Sequence, residues 1–196
     1  MGKEHKPVQY IRIPKSLYST DTGKPIDKCL MCEKYLLVDG TPYMIEKAVR
    51  QIRDPKVTEV IFEYAMCMDC MVKMNNALSV ESRQRINNYF ETHADMAGRS
   101  EALLQRKRLT LKPWINTCLI KGTPISESSE YQIVCQCDGK NLLFTYMPFA
   151  LSFEAMDEIT GLLSAKTLGE IDDFTGKYFT GPPEVSEILK RRVIVL

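Results

Sequence analysis

Two cysteine pairs, Cys29-Leu30-Met31-Cys32 and Cys67-Met68-Asp69-Cys70, are the residues of this chain best suited to chemistry, and that chemistry is metal binding. Two residues between thiols let both sulfurs of a tight turn reach one ion, and four such sulfurs complete the tetrahedral shell of Zn²⁺. A shell of four cysteines has no position left for water or substrate, so the expected role is structural. Redox chemistry needs one C-x-x-C pair, not two, and covalent haem needs a histidine after the second cysteine, where Glu33 and Met71 stand. Met66, Met68, Met71 and Met74 surround the second pair, but methionines at helical spacing are expected to fill a core and not to bind copper.

The pairs need elements to hold them. Residues 19–25 are turn-forming throughout and deliver the chain to Cys29 as a loop. Residues 35–38 and 43–49 are short apolar runs around Asp39-Gly40-Thr41-Pro42, which predicts a hairpin turn. Residues 58–64 alternate, with Val60, Phe62 and Tyr64 on one face and Glu59, Ile61 and Glu63 on the other, as in a half-buried strand. From Cys67 the pattern becomes helical, and a helix N-terminus lowers the cost of ionising Cys67 and Cys70. Lys28, Lys34 and Lys73 are placed to offset the negative charge of a tetrathiolate centre.

This order of knuckle, hairpin and helix over residues 28–78, with ligands Cys29, Cys32, Cys67 and Cys70, resembles the treble-clef zinc finger. The 34-residue spacer between the pairs is longer than the commonest pattern, and Glu33 stands where zinc knuckles favour glycine. The resemblance implies a fold and a Zn²⁺ ion; treble clefs serve too many purposes for it to imply an activity.

Around this module the reading is α+β. A strand is expected at residues 8–13, ended by Pro14. Ser79 is expected to cap a long helix over residues 79–109, whose last turns carry Arg106, Lys107 and Arg108. A break at Lys112-Pro113-Trp114 divides the chain into a zinc domain, 1–112, and an α+β domain, 113–196. The second is expected to hold strands at 116–120, 131–137 and 141–147, the last two joined by a turn at Asp138-Gly139-Lys140. Ser152 should cap a helix, and a short helix at 184–192 and a strand at 193–196 should follow. A faint echo, Cys29-Leu30 with Cys118-Leu119 and Phe62-x-Tyr64 with Phe144-x-Tyr146, raises the reading that this half is a decayed repeat of the first.

Little else suggests chemistry. His5 and His93 are the two histidines, Asp172-Asp173 reads as a solvated acidic pair, and no phosphate-binding glycine loop occurs. Cys118, Cys135 and Cys137 are too few to close a second site and read as small buried hydrophobes. At 44% hydrophobic and 26% charged residues the chain is of ordinary globular composition. An odd cysteine count without an apolar leader points to a reducing, cytoplasmic setting, and no segment has the length to span a bilayer.

Net charge is +1, which gives no overall pull towards nucleic acid. The expected function is therefore a non-catalytic, zinc-binding interaction or scaffolding module with another protein as its partner. The alternative is a nucleic-acid binder using Arg99, Arg106, Lys107, Arg108 and Lys112 beside Trp114. An enzyme working through carboxylates or the cysteines of the second half has the least support.

Overall fold

The computed structural model describes residues 8–53 and 57–179, so His5 and the elements expected at 184–192 and 193–196 lie outside the described residues. Among the described residues six strands form one antiparallel sheet: β1 (Gln9–Arg12), β2 (Pro42–Ile52), β3 (Val57–Cys67), β4 (Glu130–Asp138), β5 (Asn141–Phe144) and β6 (Phe149–Ser152). Their order is β1-β5-β4-β2-β3, with β6 also paired to β4. The class is the expected α+β.

The pairing of β2 with β4 runs from Pro42 opposite Asp138 to Arg50 opposite Glu130 and lies at the centre of the sheet. It joins a strand of each expected domain, so residue 112 does not divide the sheet, and one continuous hydrophobic core takes residues from both sides of it. Local composition shows where a chain turns; it does not show which strands pair across some 90 residues.

The hairpin is also displaced from its expected place. Residues 43–49 pair not with 35–38 but with β3, from Tyr43 opposite Cys67 to Ile52 opposite Val57, with an irregularity between Ala48 and Val49. Tyr35 makes only a bridge to Lys28, and the Asp39-Gly40 turn packs on the β4–β5 turn, where Gly139 N donates to Thr41 O at 3.3 Å. A Cβ on Gly139 would lie 2.8 Å from Asp39 Oδ1, so this close approach needs glycine.

Among the described residues there are six α-helices: α1 (Met68–Ala77), α2 (Val80–His93), α3 (Met96–Leu104), α4 (Lys112–Ile115), α5 (Phe153–Gly161) and α6 (Ala165–Tyr178). Ser79 caps α2 as expected, accepting from Ser82 N at 3.0 Å. The single helix expected over 79–109 is two, because Asp95 Oδ1 accepts from Gly98 N at 2.8 Å and starts α3 anew. A Cβ on Gly98 would collide with the Asp95 carboxylate, so the glycine admits the new cap. Arg106, Lys107 and Arg108 fall beyond the end of α3 and are exposed. Residues 116–120 form a turn closed by a Thr117–Pro124 bridge, not a strand. No described helix is long and apolar enough to cross a membrane.

β2 is buried continuously from Tyr43 to Val49, since the sheet is covered on both faces, and two charged residues go in with it. Lys47 pairs with Glu63 at 2.8 Å and donates to Tyr18 O and Thr20 Oγ1, both at 3.2 Å. Glu46 has no cation and accepts from Gln132 Nε2. Burial raises its carboxyl to about 8, against the lowering effect of Tyr64 and Gln132. An unfolded glutamate ionises near 4.3, so across the range from there to about 8 folding must take up a proton. Stability is then fullest below the unfolded value and falls as pH rises, by at most about 1.4 kcal/mol per pH unit. Glu46→Gln, neutral throughout, should exceed the wild type in denaturant midpoint by a margin that grows from pH 5 to 8 and then levels. A margin independent of pH would show that Glu46 folds as a carboxylate.

Candidate metal centre

The first cysteine pair sits in a tight knuckle. Cys29 N donates to Lys34 O and Glu33 N to Cys29 O, both at 2.9 Å, and the Lys28–Tyr35 bridge closes the loop. Glu33 adopts φ +59°, the left-handed conformation that makes glycine common at this place, so the knuckle forms with a non-glycine residue at some local cost. Leu30 N donates to Ala65 O at 2.8 Å and ties the knuckle to the last residues of β3.

The second pair lies where β3 passes into α1. Cys67 is extended, with φ −65° and ψ 154°, and is the residue before the helix; Cys70 is in its first turn. Cys67 N donates to Cys29 Sγ at 3.4 Å, a direct link between the pairs. The four candidate ligand atoms of Cys29, Cys32, Cys67 and Cys70 all lie within 4.8 Å of one another. Cys32 Sγ and Cys67 Sγ are 3.7 Å apart. A tetrahedral ion with metal–sulfur bonds of about 2.3 Å requires sulfurs about 3.8 Å apart, whereas a disulfide requires about 2.05 Å. The donor set thus fits a metal ion and not a disulfide.

The electrostatics agree with the geometry. Burial raises the Cys29 thiol, but N–H groups of Cys67, Cys32 and Met31 outweigh it and bring the group down to about 7. Burial and the neighbouring thiols push Cys70 well up, and burial raises Cys67. Four sulfurs this close cannot all ionise without a cation, and a divalent ion supplies one. Cys29, Cys67 and Cys70 are buried while Cys32 is exposed, so an ion here would sit at the surface end of the core. Of the three lysines expected to offset its charge, Lys34 pairs with Asp69 at 3.8 Å.

Met66, Met71 and Met74 are buried in the hydrophobic core, the filler role expected of them. Cys118, Cys135 and Cys137 are buried as well, and burial holds Cys135 and Cys137 high, the latter at about 12. Among the described residues the one cluster of metal-ligating side chains is the four-cysteine group.

The basic residues are not gathered around Trp114. Trp114, expected to stack on a base, is 1% exposed, with its ring centroid 5.1 Å from that of Phe144. Arg99 lies over the indole and donates to the carbonyl oxygens of Trp114 and Pro148, so its guanidinium is spent inside the protein. Arg106, Lys107, Arg108 and Lys112 are exposed without an aromatic partner among them. His93 is exposed and its Nδ1 meets Tyr89 O at 2.8 Å; Asp172 and Asp173 are exposed on α6.

The sequence marks Glu33 as the knuckle position where glycine is usual, but not that it takes the left-handed backbone itself, and it gives no sign of the Leu30–Ala65 link. The first had a signal, the glycine position of the knuckle. The second had none. Comparison of the chain with family models, with curated proteins and with solved structures finds no match.

Proposed function

We propose that this is a non-catalytic zinc-binding protein in which Zn²⁺, held by Cys29, Cys32, Cys67 and Cys70 in a treble-clef-like arrangement, clamps the knuckle to the start of α1 and so shapes an interaction or scaffolding surface. The observation that carries the reading is the convergence of four cysteine side chains at the spacing of a tetrahedral thiolate shell. Four thiolates favour zinc over magnesium or calcium, which take oxygen ligands. The ion supplies shape and no open coordination position, so the protein acts through its surface, and a protein partner is the reading that follows.

Elemental analysis of the purified chain should find one zinc per molecule. Replacement by Co²⁺ should give the intense visible bands of a tetrahedral tetrathiolate. Iron in place of zinc, or a spectrum showing coordinated water, would overturn the structural-zinc reading. Retention on immobilised RNA or DNA should be unaffected when Arg106, Lys107 and Arg108 become Glu; salt-sensitive binding lost in that variant would favour a nucleic-acid partner over a protein.

A further inference from the structure

The surroundings of Cys118 repeat those of Cys29 bond for bond. Cys118 N donates to Thr123 O at 2.8 Å and Gly122 N to Cys118 O at 2.9 Å, as Cys29 N does to Lys34 O and Glu33 N to Cys29 O. Gly122 has φ +67° where Glu33 has +59°. The bridge Thr117–Pro124 stands for Lys28–Tyr35. Leu119 N donates to Ala150 O at 2.8 Å, as Leu30 N does to Ala65 O. Ser152 N donates to Cys118 Sγ at 3.3 Å, as Cys67 N does to Cys29 Sγ at 3.4 Å. Each knuckle is therefore docked on the last strand before a helix, α1 in one case and α5 in the other.

The equivalence extends past the knuckles. Counting 85 residues on, Cys67 becomes Ser152, the start of α1 becomes the start of α5, and the caps Ser79 and Ser82 become Ser164 and Thr167. These caps bond each other reciprocally. Ser79 N donates to Thr167 Oγ1 at 3.0 Å, Ser164 N donates to Ser82 Oγ at 2.9 Å, and the two hydroxyls of Ser79 and Ser164 meet at 2.9 Å. Such exchange, in which i contacts j and j's equivalent contacts i's, is the mark of a twofold axis.

The packing is reciprocal between elements too, with the two helix aromatics 84 residues apart. Phe90 of α2 lies against Phe149 of β6, ring centroids 6.3 Å apart, and Phe174 of α6 lies against Tyr64 of β3 at 6.2 Å. Tyr64 and Phe149 are themselves 85 apart, so the in-register echo is this pair and not Phe62 with Phe144. The antiparallel pair β2–β4 lies at the centre, flanked by β3 on one side and by β5 and β6, a counterpart in two pieces, on the other.

We propose that the chain is a fused pair of metal modules related by an internal twofold axis, and that positions 118, 121, 152 and 155 are the frame of a second tetrathiolate site retaining one of its four ligands. Those positions follow from the i, i+3 spacing of each cysteine pair and hold Cys118, Lys121, Ser152 and Ala155. Hydrogen bonds do there what the ion does in the first copy. Cys118 Sγ accepts from Lys121 N at 3.4 Å as well as from Ser152 N, and Lys121 Nζ pairs with Glu158 of α5, tying knuckle to helix without a metal.

The test is the triple variant Lys121→Cys, Ser152→Cys, Ala155→Cys in the full chain, titrated with Co²⁺ and assayed for zinc beside the wild type. The wild type reports the first site, so the increment alone reads the second, and failure of one reading is distinguishable from failure of the other. The expected result is one additional metal ion per chain, with a tetrathiolate Co²⁺ spectrum for the added ion. A folded triple variant that binds no more metal than the wild type overturns the proposal. Should the triple variant fail to fold, the double variant Lys121→Cys, Ser152→Cys spares the buried Ala155 and offers three thiolates. It should take up a second, more weakly held Co²⁺, and a folded double variant with no increment overturns the proposal equally.

Discussion

Cys70→Ser should release the metal and unfold the first half of the protein, and a strong chelator should do the same to the wild type. Structural zinc contributes roughly 10–16 kcal/mol in small finger peptides, against a total stability of about 5–15 kcal/mol for a typical domain. Cys70 is buried in the first turn of α1, and its thiol meets those of Cys67, Cys32 and Cys29. The loss should spread, because α1, β2 and β3 share one core with β4 and β6. Thermal unfolding followed by circular dichroism should show a midpoint that rises with free zinc in the wild type and is insensitive to zinc in the variant. A wild-type midpoint unmoved by chelation would remove the metal from the account of the fold.

Residues 113–196 expressed alone should fail to fold, as should residues 1–112, while the two mixed should recover structure. Separation leaves β4 without β2, its longest neighbour, and strips Phe174 of α6 from Tyr64 of β3 and Phe90 of α2 from Phe149 of β6. Each fragment would expose the face that the other covers. Dispersed amide resonances from either fragment in isolation would restore the two-domain division expected near Trp114.

What was legible in the sequence was local. The i, i+3 cysteine spacing, the Ser79 cap and the turn at Asp138-Gly139-Lys140 each depend on neighbours a few residues away, and each is in place. The errors share a cause. Residues 35–38 and 43–49 looked like hairpin partners because no local pattern shows that β2 needs β3 on one side and β4 on the other. Glu46 and Lys47 break the apolar run of β2 and hide that it is central, since their burial is answered by Gln132 and Glu63 from other strands. The likeness of the two knuckles is faint in sequence for a related reason: what they share is backbone hydrogen bonding around Cys29 and Cys118, which side-chain identity barely records.

The exchange of covering helices bears on the order in which the protein is made. The ribosome completes the fourth ligand, Cys70, and then adds 94 more residues before reaching Ala165, the first of α6. At 5–20 residues per second that is on the order of 5–20 s during which all four cysteines of the cluster are made while Tyr64 still lacks Phe174 of α6. The four thiols are therefore complete before the core can close, and a newly synthesised chain spends that interval with aromatic surface open to chaperones or to aggregation.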